Sequence, residues 1–338
     1  MLEVQERPIV IAPLPEPMTA PIERTPAAWT RKDLLDTDTL TRAEIELVME
    51  TSTGMAEIRS RPVGKVGTLR GATVVTLFYE QSTRTRASFE VAAKALGADV
   101  VNITASGSSV EKGESLIDTV RTLEAIGADI LVMRHGHSGA PTLAARHTKA
   151  SVINGGDGRH AHPTQALLDL FTMRRHLGDL AGRKVVIVGD VLHSRVARSN
   201  IWTLMAAGAD VTLCAPQTLL PRTLAGASEA GRCTVTTDLD AAMHDADVVM
   251  ALRMQKERQD SGLIPSLRYY IAGWQVNARR MALARPGALL MHPGPKNEGI
   301  EVSPDVATGF GSVIEEQVSN GVAVRMALLY LMATGRRP

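Results

Sequence analysis

The chain has 338 residues, an apolar share of 44% and 37 Lys and Arg against 36 Asp and Glu, for a net charge of +1. That is length enough for two domains of ordinary size, each with its own core. The charge balance excludes a nucleic-acid surface or an acidic tail built on a global field, so any anion site must come from local placement of charge. Aromatic residues make up 3%, too few for base-stacking platforms, and no apolar run approaches the roughly 20 residues that span a bilayer.

Residues 1–28 are rich in Pro and Glu and lack the charge-then-apolar order of a signal peptide. We expect a flexible extension or a loosely docked arm there. Thr41-Arg42-Ala43-Glu44 has the pattern of a capping box, and Ile45, Val48 and Met49 continue it as an amphipathic helix. Strand-like runs follow at 72–78, 99–103, 129–133 and 151–153. Helical runs lie between them, including 87–96, which stops at Gly97, and 114–126, which Gly127 closes. A helical run at 164–177 starts after Pro163 and bridges to a second series of strands at 184–190, 210–214, 247–252 and 288–291. The segment 314–332 is helical in period and could pack on either half. This alternation predicts an α/β fold of two domains, each a parallel sheet flanked by helices, with the active site in the crevice between them. The expected bounds are 29–163 and 164–312, with a C-terminal helix in 313–338 packing back on the first domain. Cys214 and Cys233 fit no metal or redox spacing and read as reduced thiols of a cytoplasmic protein.

Ligands of open α/β sheets sit outside the C-terminal ends of the strands, and the chemistry-bearing residues fall there repeatedly. Ser82-Thr83-Arg84-Thr85-Arg86 follows the first strand and opens a helix. Free N–H groups, hydroxyls and guanidinium forks at a helix start suit a phosphate. Arg134 follows the third strand, and His162-Pro163-Thr164-Gln165 offers an imidazole and an amide at a helix start. Arg195, Arg253 and His292-Pro293-Gly294-Pro295 follow strands of the second half. Several arginines on one crevice suggest more than one anionic group, and Lys112 lies in a loop of small polar residues.

Other chemistries lack their parts. His160 and His162 have no carboxylate or cysteine set to complete a zinc shell, so no metal is expected. No Gly-x-Ser-x-Gly elbow and no Walker sequence is present. The run Val185-Val186-Ile187-Val188-Gly189-Asp190 starts like a dinucleotide fingerprint, but Val191 and His193 stand where small residues are needed. What remains suits direct transfer between a phosphorylated and an anionic substrate, driven by orientation and by stabilised negative charge.

Phe78-Tyr79-Glu80-Gln81-Ser82-Thr83-Arg84-Thr85-Arg86 resembles the carbamoyl phosphate signature of the aspartate and ornithine carbamoyltransferases, and His162-Pro163-Thr164-Gln165 resembles their second signature. The resemblance covers roughly residues 29–335. His292-Pro293-Gly294-Pro295 and Arg253-Met254-Gln255-Lys256-Glu257-Arg258 resemble the aspartate branch, where ornithine enzymes carry a His-Cys-Leu-Pro segment. The resemblance implies transfer of a carbamoyl group to the α-amine of L-aspartate, an early step of pyrimidine synthesis, without a cofactor. It implies that Ser82, Thr83, Arg84 and Thr85 hold the phosphate and that Arg134 bridges phosphate and carbonyl oxygens. His162 and Thr85 would polarise the carbonyl, Gln165 would orient the carbamoyl amide, and Gly294 and Pro295 would line the site. Arg195, Arg253 and Gln255 would bind aspartate. Ser108 and Lys112 match a loop that reaches into the neighbouring subunit's site, Lys112 towards aspartate, in a homotrimer with shared sites. A regulatory chain or a dihydroorotase partner stays open. Glu111 stands where some relatives have lysine, and Glu298 where many have arginine. The rival readings are another amine acceptor such as ornithine, a silent scaffold that docks a partner enzyme, and a dinucleotide-dependent oxidoreductase.

Overall fold

A computed structural model describes residues 28–104, 113–221, 232–255, 262–309 and 311–335. The first helix, α1 (Arg42–Ser60), starts on the expected capping box: Thr41 accepts from the Glu44 N–H, and Glu44 accepts from the Thr41 N–H. Arg31 also donates to both Glu44 oxygens. Burial alone would raise the Glu44 carboxyl, but the Arg31 and Thr41 bonds outweigh it and hold it down at about 2.

The first sheet comprises β1 (Thr73–Phe78), β2 (Asp99–Thr104), β3 (Ile130–His135) and β4 (Ser151–Asp157), in the order β2-β1-β3-β4. Between them run α2 (Thr83–Ala95), α3 (Leu116–Ile126) and α4 (Ala140–Ala145). The second sheet comprises β5 (Lys184–Val188), β6 (Asp210–Cys214), β7 (Cys233–Thr236), β8 (Val248–Ala251) and β9 (Leu289–Met291), in the order β7-β6-β5-β8-β9. Its helices are α6 (Arg195–Ala206), α7 (Leu239–Met243), α8 (Leu267–Trp274), α9 (Ala278–Met281) and α10 (Pro304–Ala307). Every strand pair in both sheets is parallel. Helices on both faces explain why central strands such as Val185–Val188 read as unbroken apolar runs rather than alternating ones.

Two long helices join the sheets. In α5 (Pro163–Leu177) every residue from Pro163 to Met173 is buried. The C-terminal helix α11 (Ile314–Thr334) packs against α1, α2 and α5 and also touches β3 and β9. One continuous apolar core therefore runs from Ile45 and Val48 through Leu167 and Leu328 to Val248 and Leu290. A smaller cluster of Val75, Leu77, Val120, Leu131 and Val152 covers the other face of the first sheet. Cys214 and Cys233 are buried free thiols, and burial pushes Cys214 up to about 12.

The structure departs from expectation in its boundaries. Helix α2 begins at Thr83, not at residue 87, because Ser82 takes the extended N-cap conformation. Strands β3 and β4 run past their apolar stretches to His135 and Asp157, since their polar ends stay paired across a register shift. Strand β7 was not expected: three of its four residues are not buried, so it lacks an apolar run.

Candidate active site

The chain reverses direction across each sheet at one place, between β1 and β3 in the first and between β5 and β8 in the second. Open sheets bind ligands at such points. Phe78 ends β1 and Ser82 caps α2, while Arg134 lies at the end of β3. Asp190 and Arg195 follow β5, and Arg253 follows β8.

Three helices bring their N-termini to this region with residues of the expected site in the first turn: Arg84 and Thr85 on α2, Gln165 on α5 and Arg195 on α6. None of these first turns carries an acidic residue, whereas those of α1, α3 and α11 do. A helix start favours negative charge, and here the chain leaves that preference to a ligand. Ser82 occupies the N-cap of α2 yet its side chain makes no capping bond, unlike Ser115, Ser194 and Ser266 on their helices. Thr83 and Arg84 are exposed and Thr85 is buried.

Glu80 ties the two sheets together. Its Oε2 accepts from Arg134 Nε at 3.0 Å and from Arg195 Nη2 at 2.6 Å. Arg134 Nη1 donates to the Gly155 carbonyl at 3.3 Å, and Arg195 Nη1 to the Gly158 carbonyl at 3.1 Å. Gly156 lies under both guanidiniums at φ +115°: a Cβ there would sit 3.0 Å from Arg195 Nε and 3.3 Å from Arg134 Nη1. On the other side of the crevice Arg84 approaches Gly294, at φ +67°, where a Cβ would lie 2.7 Å from Arg84 Nη1. A side chain at either glycine would have to displace an arginine and adopt a backbone conformation it disfavours. Pro295 beside it is exposed.

Their surroundings drive His162 and His292 toward the neutral form. Burial, and then the charges of Arg134, Arg195 and Arg325, push His162 well below the ordinary imidazole range. Burial, and then Arg84, Lys296 and Arg253, push His292 down to about 3. A neutral imidazole among guanidiniums can donate one N–H without adding charge. The backbone N–H of His162 donates to Ser199 Oγ at 2.9 Å, and His292 Nδ1 accepts from the Gly294 N–H at 2.9 Å. His160 instead pairs with Asp157 and Asp36. Among the described residues no group of three His, Cys, Asp or Glu side chains is placed to hold a metal ion.

The segment Arg253–Gln255 is held by buried carboxylates. The Met254 N–H donates to Glu301 Oε1 at 2.7 Å, and the Gln255 N–H to Asp190 Oδ2 at 3.3 Å. Glu301 also accepts from the Asn297 N–H and from Asn297 Nδ2, which ties this segment to the loop after Pro295. Burial raises the Glu301 carboxyl. Glu298 is exposed.

The structure thus gathers Ser82, Thr83, Arg84, Thr85, Arg134, His162, Gln165, Arg195, Arg253, Gln255, Gly294 and Pro295 around the two switch points and the loop after β9. Ser108, Lys112 and Glu111 lie outside the described residues, as do Glu257 and Arg258. Sequence reasoning assigned no role to Glu80, Asp190 or Glu301. Glu80 stands inside the segment that carries the resemblance and Asp190 directly follows β5, so position was a usable signal for both; Glu301 had none.

Two family models match most of the chain. Residues 32–175 match the aspartate/ornithine carbamoyltransferase carbamoyl-P binding domain, and residues 181–332 match the Asp/Orn binding domain of the same family. The chain is 60% identical to the aspartate carbamoyltransferase catalytic subunit of Roseiflexus sp. (strain RS-1) over 316 residues, covering 94% of this chain and 99% of that one. It is 58% identical to that of Chloroflexus aggregans over 303 residues, covering 90% and 98%. Among solved structures, aspartate transcarbamoylase from Trypanosoma cruzi in complex with N-(phosphonacetyl)-L-aspartic acid superposes with a TM-score of 0.82 at 31% identity, over 91% of this chain and 98% of that one. Ornithine carbamoyltransferase from Pyrococcus furiosus superposes with 0.83 at 30%, over 91% and 99%. Fold alone does not separate the two acceptors. The chain belongs to the aspartate/ornithine carbamoyltransferase family.

Proposed function

We propose that this chain transfers the carbamoyl group of carbamoyl phosphate to the α-amine of L-aspartate, giving N-carbamoyl-L-aspartate and phosphate, an early step of pyrimidine synthesis. The observation that carries the reading is the Glu80 bridge, which joins Arg134 of β3 and Arg195 at the start of α6 on one carboxylate, so that two anion-binding ends face each other across one crevice. The aspartate acceptor is supported by the names of relatives at up to 60% identity and by guanidiniums at Arg195 and Arg253, which suit two carboxylates and not the side-chain ammonium of ornithine.

In this reading residues 29–163 form the carbamoyl phosphate domain and 164–312 the aspartate domain. Ser82, Thr83, Arg84 and Thr85 bind the phosphate with the N–H groups at the start of α2. Arg134, Thr85 and the neutral His162 donate to the carbonyl oxygen as the amine attacks and the tetrahedral oxyanion forms. The C–O bond to phosphate then breaks, and the departing phosphate takes the proton from the amine, so no side chain need act as general base. Gln165 meets the carbamoyl amide, and Arg195, Arg253 and Gln255 hold aspartate, with Gly294 and Pro295 closing the site. Ser108 and Lys112 complete the site of the neighbouring subunit in a homotrimer, and the relatives' name, catalytic subunit, supports association with further chains. A cytoplasmic location fits this role; among the described residues no helix is long and apolar enough to cross a membrane.

Calorimetric titration with a bisubstrate mimic that joins a phosphonate to aspartate tests the reading. Binding should saturate at one mimic per chain, and Arg195→Ala should weaken it by at least about 10-fold, the loss of one charge-assisted bidentate contact. No binding, or equal binding by Arg195→Ala, would contradict it.

A further inference from the structure

Asp169 lies on α5, one turn beyond Gln165, and is fully buried. Its Oδ1 accepts from Gln165 Nε2 at 2.9 Å and from Gln317 Nε2 at 2.8 Å, and its Oδ2 accepts from Asn200 Nδ2 at 2.9 Å. Three carboxamides from three helices, α5, α11 and α6, therefore all donate into one carboxylate.

The direction of these amides is set from outside the cluster. The His292 N–H donates to Gln317 Oε1 at 2.9 Å. A backbone N–H can only donate, so the Gln317 oxygen faces His292 and its NH2 faces Asp169. Asn200 Nδ2 also donates to the Val196 carbonyl at 3.1 Å, which orients that amide in the same sense. An ionised carboxylate offers lone pairs and nothing else. Gln165 must then turn its NH2 to Asp169 and its oxygen away.

Asp169 is a costly way to fill this position. A buried carboxylate held by neutral amides forgoes the compensation of a hydrogen-bonded cation. Arg325 acts on it only through space, because its Nη1 donates to Ser88 Oγ at 2.7 Å and its guanidinium lies 5.2 Å from the centre of the Phe89 ring. Burial raises the Asp169 carboxyl to about 6, against the pull of the three amides. What a carboxylate supplies, and a carboxamide of the same shape does not, is acceptance from all sides with no donor of its own.

We propose that Asp169 is a positioning residue that presents the Gln165 carbonyl oxygen to the carbamoyl NH2 and so makes the site select carbamoyl phosphate over acyl phosphates that lack an N–H donor. The inference rests on the reading of Gln165 as a carbamoyl contact. Acetyl phosphate is the probe, since it keeps the phosphate and carbonyl and replaces the NH2 with a methyl. The selectivity is the kcat/KM for carbamoyl phosphate multiplied by the inhibition constant of acetyl phosphate, measured on the full chain and on Asp169→Asn, Gln165→Ala and Gln317→Met.

Asp169→Asn is expected to lower kcat/KM for carbamoyl phosphate by about 10- to 100-fold, the range for one hydrogen bond lost from a buried group. Acetyl phosphate inhibition should stay within about twofold, so that selectivity falls to that of Gln165→Ala. Gln317→Met leaves the acceptor in place and should keep the wild-type selectivity. Equal weakening of both phosphates in Asp169→Asn would show a merely structural role and overturn the proposal. If Gln165→Ala keeps full selectivity, the reading of Gln165 fails and takes the proposal with it. If Gln165→Ala loses selectivity while Asp169→Asn keeps it, the role of Asp169 alone fails.

Should Asp169→Asn not fold, the wild-type chain provides the test between pH 8 and pH 5.5, with selectivity taken as the ratio of the dissociation constants of the two phosphates measured without aspartate, whose amine would otherwise titrate the turnover term alone. Protonated Asp169 gains a donor and no longer dictates the Gln165 amide, so selectivity should fall as the pH is lowered; a flat selectivity would overturn the proposal. The charged group acting on Asp169 is Arg325 on α11, at about 10 and thus protonated throughout. The groups facing it from α6 and α5 are the neutral amides of Asn200 and Gln165, and titration of the ligand phosphate, shared by both probes, largely cancels in the ratio.

Discussion

Arg134→Ala is expected to lower kcat by about 10²–10³-fold, the range seen when one preorganised donor to a developing oxyanion is removed. The side chain extends from β3 at the first switch point, 14% exposed, and is held by Glu80 and the Gly155 carbonyl. Its orientation is therefore set before substrate arrives, which is the condition under which a donor lowers a barrier rather than only tightening binding. Arg134→Lys should recover little, because an ammonium cannot address phosphate and carbonyl oxygens as a planar fork does. Steady-state kinetics with saturating aspartate checks this, and a kcat within about tenfold of wild type would remove Arg134 from the chemistry.

Glu80→Gln is expected to lower kcat by about 10–100-fold and to raise KM for both substrates. One carboxylate oxygen takes Arg134 Nε and Arg195 Nη2 together, and these guanidiniums are assigned to opposite ends of the reacting pair. The glutamine carbonyl oxygen keeps two lone pairs but carries no charge, so the two guanidiniums lose the anion they share. Losing one partner of such a network costs about 2–5 kcal/mol, and misplacing a substrate by an ångström can cost about 10²-fold. The signature is its breadth. Arg134→Ala should leave the aspartate KM nearly unchanged, whereas Glu80→Gln should raise it, and a Glu80→Gln effect confined to carbamoyl phosphate would contradict a bridging role.

Much of the fold was legible because parallel strands covered on both faces leave unbroken apolar runs, as in Val185–Val188, and because glycines mark helix ends, as Gly127 does in the left-handed conformation at the end of α3. Strand β7 and the short helices α4, α7, α9 and α10, each of six residues or fewer, gave too little periodic signal. The arginines and histidines of the site were legible as residues at strand ends. The carboxylates were legible at most by position, and their partners were not legible at all. Glu80 meets partners 54 and 115 residues away, and Asp169 meets Gln317 148 residues away. No local pattern encodes such pairings; they exist only once both sheets and α11 are assembled.

The central claim is tested most directly by incubating the purified chain with carbamoyl phosphate and either L-aspartate or L-ornithine and measuring the carbamoylated product of each. The account predicts carbamoyl aspartate with stoichiometric phosphate, and kcat/KM for aspartate at least about 10³-fold above that for ornithine, since each misplaced or unpaired charge in the acceptor site costs a few kcal/mol. Citrulline as the main product, or no carbamoylated product from either amine, would contradict it.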